Sequence, residues 1–329
     1  MKRYLLALLL ALPLLTGIMP AVDSEEQLAP DSQRLPVATS VAAVAAPSAG
    51  GTEIAGMEAI IRQSIGTLSA LPDFAGWQDA AWDVYPLGPG THGWVVLLTK
   101  QGKEIGYLVI SAAEDGQLSL TEYGTGDRPL FSLDTLRQAM TGQEIIAPDM
   151  PLAQFMDETV VVKERLYTGA LQAVWKVSIG HDSFYYDAKT GDRLPNLGAL
   201  AAAASGAGGN NDEKTAPGAA VKAENGQNVP IIAVSAASGT FDPYENIGWM
   251  DNQDPAISNR HTIGLLLADG AHILYRAKIF QPTVAYALPV TGIHTWTQSN
   301  SSYFELDQDG SRFVTAGELF AAGSFVHVD

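Results

Sequence analysis

The sequence predicts an α+β protein made of two folded modules. Three observations lead to this prediction: a segment whose apolar residues recur at helical spacing, a series of short β-like segments separated by turn residues, and an Ala- and Gly-rich stretch that divides the chain. The chain has 329 residues, 47% of them apolar, a length that accommodates two domains of roughly 100–200 residues each. We expect an α+β domain at residues 53–197, a linker at 198–228 and a small β-rich domain at 229–329.

The first residues predict export from a bacterial cell. The basic pair Lys2-Arg3 precedes an apolar run, Tyr4–Leu15, which is the order of a signal peptide. The run is shorter than the roughly 20 apolar residues that cross a bilayer. We therefore expect residues 1–21 to be a signal peptide and the protein to be secreted or held at the cell surface. Ala21 suits cleavage, but Met19 is large where a small residue is preferred, so an uncleaved N-terminal anchor stays open.

A tether and a helix are expected next. Residues 22–52 consist largely of Ala, Pro, Ser, Gly and acidic residues without periodicity, a composition typical of a flexible tether. The following apolar residues share one helical face, and Pro72 ends the helix. These apolar residues are Met57, Ile60, Ile61, Ile65, Leu68 and Leu71.

The middle of the first module predicts a β-meander. Three strands are expected, at Trp94–Leu98, Ile105–Ile110 and Leu118–Tyr123. The pairs Gln101-Gly102 and Asp115-Gly116 separate them and are typical of tight turns.

A short helix and a second group of strands complete this module. Ser132 is expected to cap a helix that contains Leu133, Leu136 and Met140. The strands that follow are predicted at Val160–Leu166, Ala173–Ile179 and Phe184–Asp187, with the last two joined across His181-Asp182.

The second module is predicted to be β-rich. A strand is expected at Val229–Val234, a helix at Thr262–Ala268, and strands at Ile273–Phe280 and Val284–Leu288, with a closing hairpin of Tyr303–Leu306 against Arg312–Thr315.

Two stretches of the first module resemble known families. Ala173–Val177, followed by Phe184–Gly191, resembles the PepSY motif, in which a strand runs into Asp-Ala-x-Thr-Gly. Gly102–Ala112, continued by Glu122–Gly126, looks like the propeptide β-meander that precedes secreted bacterial peptidase domains. The resemblance covers nearly all of residues 53–197, and it implies a module that binds proteins or regulates a peptidase.

Composition excludes several classes of function. The chain has no cysteine, which rules out disulfides, thiolate metal sites and cysteine nucleophiles. Its net charge of −17 disfavours nucleic acid and anionic membrane surfaces, because both are bound through Lys and Arg. The sequence contains no His-Glu-x-x-His, Gly-x-Ser-x-Gly or Ser-x-x-Lys motif. No catalytic, cofactor-binding or metal-binding residue is therefore assigned, and we expect a non-catalytic binding or regulatory protein whose partner is a secreted or envelope peptidase or another protein.

A calcium loop is one alternative for the C-terminal hairpin. Asp307–Glu318 has oxygen-bearing residues at positions 1, 3, 5 and 12 of an EF-hand loop. Arg312 stands where the loop needs glycine, and the preceding residues are poor helix formers, so a hairpin that turns at Asp309-Gly310 is the favoured interpretation. The alternative function is a cell-surface structural protein with a calcium-dependent hairpin.

An unrecognised secreted hydrolase is the other alternative. It would need a site that gathers His261, His294 or an acid pair. The acids considered for such a pair are Glu245, Asp251 and Asp254. Four aromatic residues are expected either to pack in the core or to form a ligand platform, namely Tyr244, Trp249, Trp296 and Tyr303.

Overall fold

The structure is a computed structural model. It describes residues 51–88, 91–113, 115–195, 221–222, 232–237, 239–245, 247, 255–280, 284–297 and 299–328. All of these residues lie in one compact unit. The predicted signal peptide, most of the predicted tether, and most of the predicted linker fall outside the described residues.

Helices and antiparallel strands confirm the mixed α+β class. The helices are α1 (Gly51–Leu68), a 3-10 helix (Pro72–Trp77), α2 (Leu133–Gly142), α3 (Leu152–Met156), α4 (Arg260–Ala268) and α5 (Ala316–Ala322). The strands are β1 (Ala81–Pro86), β2 (Gly93–Lys100), β3 (Lys103–Ala112), β4 (Leu118–Thr125), β5 (Val162–Tyr167), β6 (Ala173–Ile179), β7 (Asp182–Asp187), β8 (Arg193–Leu194), β9 (Val221–Lys222), β10 (Ile232–Ala237), β11 (His272–Ile279), β12 (Val284–Trp296), β13 (Ser301–Asp307), β14 (Ser311–Thr315) and β15 (Gly323–Val328). No helix in the described ranges is both long and apolar enough to cross a membrane.

Two sheets are present in the described part of the chain. The large sheet contains eleven strands, with the order β1-β2-β3-β4-β14-β13-β12-β11-β15, and β9 and β10 pair with β4 and β12. The small sheet has the order β5-β6-β7-β8. In the large sheet β4 pairs with β14, so that Val314 lies opposite Glu122 and Phe313 lies opposite Tyr123. We call this pairing the seam, because it joins strands of the two predicted domains within one sheet.

The large sheet is covered on both faces. Side chains of a strand point alternately to opposite faces, so Tyr123 and Phe313 face one way while Glu122 and Arg312 face the other. We call the Tyr123 side the front face; α1 and the 3-10 helix pack there. On the opposite, rear face, α2, α3 and one side of the small sheet form one apolar cluster. The other side of the small sheet packs with α4, α5 and the C-terminal strands.

Most elements expected from periodicity are confirmed. The buried residues of α1 include five of the predicted apolar positions, from Met57 to Leu68. The meander β2-β3-β4 has the predicted turns, and the Ser132 hydroxyl accepts a hydrogen bond from the Thr135 N–H at 3.2 Å at the start of α2. In the turn after β7 the Asp187 Oδ1 accepts hydrogen bonds from the N–H groups of Lys189 and Thr190.

Some predicted boundaries were wrong. Ile179 pairs with Asp182, so the β6–β7 turn lies at Gly180-His181, where Gly180 adopts a positive φ of 61°. Strand β12 continues past the predicted end at Leu288, because β10 and β13 pair with its second half. Strands β1 and β15 and helices α3 and α5 were not predicted.

Candidate functional site

A buried ion pair lies on the rear face of the seam. Glu122 of β4 and Arg312 of β14 are 0% and 1% exposed. The Arg312 Nε donates to the Glu122 Oε1 at 2.8 Å, and Nη2 donates to Oε2 at 3.2 Å. Two parallel hydrogen bonds of this kind fix both side chains in position, so the charges join the two parts of the large sheet.

Neutral groups satisfy the remaining polar atoms of this pair. The Tyr107 hydroxyl donates to Glu122 Oε1 at 2.6 Å, and the Tyr167 hydroxyl of β5 donates to Oε2 at 3.0 Å. Arg312 Nη1 donates to the Gln308 Oε1 at 2.8 Å. We call these five residues the buried ion-pair network. Since Tyr167 belongs to the small sheet, the network ties both sheets together.

The pKa values in the network follow from burial and charge. Burial raises the pKa of both tyrosines well above the usual value, and the negative charge of Glu122 adds to the rise, so both hydroxyls stay protonated donors. Burial acts to lower the pKa of Arg312, but the attraction of Glu122 outweighs it and the pKa is raised. Arg312 therefore keeps its positive charge at neutral pH.

Two further ionisable groups lie beside the network. Burial raises the pKa of Glu318, in α5, to about 7, with a further contribution from the charge of Glu122. The Glu318 Oε2 is buried without a hydrogen-bond partner. Burial lowers the pKa of Lys189 to about 8, and the nearby charge of Arg312 adds to this effect. The Lys189 ammonium donates to the carbonyl oxygens of Arg128 and Asp309, both at 2.7 Å.

The front face of the seam carries aromatic rings around a histidine. Tyr123 stacks on Phe313, and His294 stacks on the same phenylalanine with ring centroids 4.3 Å apart. The Tyr123 hydroxyl lies 2.9 Å from the His294 Nδ1, and the Trp296 indole N–H donates to that hydroxyl at 3.4 Å. Burial lowers the pKa of His294 to about 4, so the ring is neutral at pH 7. We call these four residues the aromatic–histidine cluster.

These two sets of residues connect strands of the large sheet. Glu122, Arg312 and His294 are all buried, and each bonds to a partner on another strand of the large sheet. A substrate could reach their reactive atoms only if the seam opened. Their hydrogen bonds link strands of the large sheet and, through Tyr167, link the large sheet to the small one.

The structure separates the residues considered for a hydrolase. His261 is exposed in the first turn of α4, whereas His294 is buried in the aromatic–histidine cluster. The other four histidines are exposed. Glu245 is exposed, while Asp251, Asp254 and Trp249 lie outside the described residues. Within the described ranges no group of three or more His, Asp or Glu residues could hold a metal ion.

The aromatic residues considered for a ligand platform are also separated into buried and exposed side chains. Trp296 and Tyr303 are fully buried, which confirms the core interpretation for these two residues. Tyr244, by contrast, is 63% exposed. The Tyr303 hydroxyl donates to the Leu120 carbonyl at 2.7 Å across the large sheet.

The segment that resembles a calcium loop is a hairpin. Strand β13 ends at Asp307 and β14 begins at Ser311, and the turn residues Asp309 and Gly310 have positive φ values of 50° and 108°. The favoured interpretation is therefore confirmed. A strand stands where an EF-hand has its entering helix. Thr240 donates to the Asp307 carboxylate, and Ser311 donates to Glu305 at 2.5 Å.

The surface around α3 and β5 leaves apolar groups exposed. Leu152, Met156 and Val162 are 55%, 46% and 44% exposed. In the described part of the chain β5 pairs with β6 alone, so the other side of β5 presents backbone N–H and C=O groups. The Lys163 ammonium donates to the carbonyls of Phe155 and Val161 at 2.8 and 2.6 Å, and thereby holds α3 against this strand.

No family model, curated protein or solved structure matches the chain. The likeness of residues 53–197 to PepSY and propeptide modules therefore stays a prediction.

Proposed function

We propose that the chain is an exported, non-catalytic protein that binds and regulates a partner protein, with a secreted or envelope peptidase as the expected partner. The observation that carries this proposal is the strand edge of β5, where exposed apolar side chains lie beside backbone groups with which no other strand among the described residues pairs. The proposed partner adds an extended segment to this edge.

The physical basis is strand addition. An unpaired edge offers N–H and C=O groups at regular spacing, so that an extended segment binds through main-chain hydrogen bonds while adjacent side chains provide specificity. Val162 begins β5 and is 44% exposed, which gives such a segment an apolar contact. The neighbouring Glu164 forms a 2.5 Å ion pair with Lys176 of β6, which fixes the strand without covering it.

The interior supports a binding role in a different way. The buried ion-pair network holds the small sheet to the large one through the Tyr167–Glu122 hydrogen bond. A binding edge that is fixed in this way loses little conformational entropy when the partner associates. The network thus supplies rigidity to the surface that the proposal requires.

The test uses the full chain purified in its exported form. It is added to the culture medium of the producing cell, and secreted peptidase activity and cross-linked partners are both measured. We expect lowered peptidase activity and cross-linking to that peptidase. Val162→Lys should reduce the inhibition by roughly tenfold, because a charged residue on a strand edge opposes strand addition. The matched control is Val234→Lys, at a position 51% exposed on β10.

Two results would contradict the proposal. One is unchanged peptidase activity together with no specific cross-linked protein. The other is equal loss of inhibition in the Val162 and Val234 variants, which would mean that added charge anywhere on the surface is sufficient.

A further inference from the structure

Helix α3 presents an apolar surface toward solvent. Leu152 and Met156 are four residues apart, so they lie on the same side of the helix, and both are about half exposed, at 55% and 46%. Between them Phe155 is fully buried and anchors the helix in the core. Methionine adapts its shape to different partners at low cost, which suits a binding surface.

Acidic residues flank these two side chains along the chain. Asp149, Asp157 and Glu158 are all exposed, and residues 149–158 contain no Lys or Arg. The whole chain carries a net charge of −17. Lys163 lies near Asp157 and Glu158, but its ammonium donates to the carbonyls of Phe155 and Val161. The net charge of this surface is therefore negative, and with its apolar centre it is complementary to an apolar segment that carries Lys or Arg.

We propose that α3 and the adjoining edge of β5 bind a basic, apolar, extended segment of the partner protein. Its apolar side chains contact Leu152 and Met156, and its Lys or Arg residues lie near Asp149 and Glu158. This proposal rests on the proposed function, and it adds the chemistry of the partner and the place where the partner binds.

The surface is held in its conformation before binding. Besides the two Lys163 hydrogen bonds, Arg137 Nη2 donates to the Met150 carbonyl at 3.1 Å. The Asp157 Oδ1 accepts hydrogen bonds from the Thr159 N–H at 2.9 Å and from its hydroxyl at 2.7 Å. These bonds lower the pKa of Asp157, so that this acidic group stays charged as pH falls. A five-residue helix would otherwise be too short to keep a fixed shape.

The length of the available edge limits the partner segment. Gly88 packs against β5, since a Cβ built on it would lie 3.3 Å from the Arg165 carbonyl oxygen. The part of β5 that lies nearest α3, Val162–Glu164, is therefore the part open to pairing. A short extended segment fits this edge, while its flanking residues cross α3.

The experiment measures binding of a synthetic peptide to the purified full chain. The probe is a fluorescent peptide of about twelve residues with alternating Val and Lys. The reference probe is the same peptide with Glu in place of Lys. Fluorescence anisotropy gives the Kd, and hydrogen exchange shows which backbone amides the peptide protects. We expect the Val/Lys peptide to bind more tightly than the Val/Glu peptide, with protection confined to residues around 160–166.

Matched variants separate a local site from the general charge of the protein. Asp149→Asn with Glu158→Gln should weaken binding roughly fivefold, whereas the exposed pair Asp79→Asn with Asp269→Asn, with the same change in charge, should leave it unaltered.

Leu152→Ala should weaken binding roughly tenfold. Leu265→Ala, at a leucine with a similar exposure of 54% on α4, should leave the Kd unchanged.

The outcomes distinguish this proposal from the one on which it rests. If the Val/Glu peptide binds as tightly as the Val/Lys peptide, or if the two charge-neutralised pairs have equal effects, the proposal that the α3 surface binds a basic segment is wrong. If inhibition of the peptidase persists in Leu152→Ala and the Val/Lys peptide does not bind, the regulatory function stands and this surface is wrong. If the Val/Lys peptide binds as expected and peptidase activity never changes, the surface stands and the peptidase regulation is wrong.

Discussion

The two faces of the seam join the same two strands by different chemistry. Glu122 and Tyr123 are neighbours on β4, and Arg312 and Phe313 are neighbours on β14, yet each pair divides between a charged rear face and an aromatic front face. Across the rear face the contact is a doubly hydrogen-bonded ion pair. Across the front face it is a stack of two rings whose centroids lie 4.8 Å apart.

This difference in chemistry predicts how substitutions on each face affect the stability of the protein. A buried charge is tolerated only while all its partners remain, since an unpaired ion in a low-dielectric interior is strongly disfavoured. Stacked rings each contribute part of the apolar contact and need no partner to neutralise them. Removing one group from the rear face should therefore cost most of the stability that this face contributes. Each substitution on the front face should cost only a part of its contribution.

The largest expected effect is the loss of one member of the ion pair. Arg312→Met leaves Glu122 buried and unpaired, and we expect it to lower the free energy of unfolding by about 3–5 kcal/mol, measured by urea denaturation. Arg62→Met is the control, because its 2.7 Å ion pair with Glu58 has both side chains more than half exposed; we expect a loss below about 0.5 kcal/mol.

The double variant sharpens this result. Glu122→Leu combined with Arg312→Met removes both charges and should recover much of the stability that the single variant loses. A double variant as unstable as the sum of the two singles would mean that packing, and not the unpaired charge, dominates at the rear face.

The second effect concerns the neutral histidine of the front face. His294 has a folded pKa of about 4 against an ordinary value of 6.5, so the unfolded chain binds more protons between these pH values. Its contribution to stability is complete above about pH 6.5 and is lost as pH falls toward 4; the full difference is about 3 kcal/mol.

Unfolding measured against pH in the wild type and in His294→Phe tests this. The stability of the wild type relative to the variant should increase from pH 4 to pH 7. His261→Gln, at an exposed histidine, should give a curve parallel to that of the wild type. A constant difference between the wild type and His294→Phe would show that His294 is protonated equally in the folded and unfolded states.

The secondary structure of both faces was largely predictable, and their chemistry was not. Short β-like segments and turn pairs located β2, β3, β4 and the β13–β14 hairpin, because these features depend on local sequence. In the sequence Glu122 follows Thr121 and Arg312 follows Ser311, so no apolar run on both sides marks either charge as buried.

The pairing of β4 with β14 could not be predicted in this way. Glu122 and Arg312 are 190 residues apart in the chain, and no local pattern selects one distant strand among many. Helix α3 was missed because it has only five residues, too few to display a helical period. The surface proposed to bind the partner thus depends on an element that only the tertiary structure defines.

The third effect is steric and lies at the edge of the rear network. Gly124 lies in the seam opposite Arg312, and a Cβ added there would lie 2.4 Å from the Tyr107 Cε1 and 2.7 Å from the Ser311 carbonyl oxygen. Gly124→Ala should therefore displace Tyr107 from Glu122 and lower stability by about 1–3 kcal/mol. Gly142→Ala is the control, because nothing lies within 4 Å of that Cβ. Equal free energies of unfolding in the two variants would show that β4 and β14 can move apart at the seam without loss of stability.

The smallest expected effect, and the sharpest comparison of the two faces, concerns Glu318. Its folded pKa of about 7 is above the ordinary value of 4.5, so the folded state binds more protons between these values. This contribution is complete below about pH 4.5 and is lost as pH rises through 7, which is the opposite direction from His294. Because Glu318 is partly exposed, we expect Glu318→Gln to gain only about 1 kcal/mol relative to the wild type between pH 5 and pH 8.

The two groups act in opposite directions between about pH 4.5 and 6.5, and the His294 effect is the larger of the two. The wild type should therefore gain stability as pH rises across this range, Glu318→Gln should gain more than the wild type, and His294→Phe should lose stability. The double variant should be nearly flat, and Glu245→Gln, at an exposed glutamate, should match the wild type. If both single variants change in the same direction with pH, then the two faces of the seam do not titrate independently, and the charge of one face determines the protonation of the other.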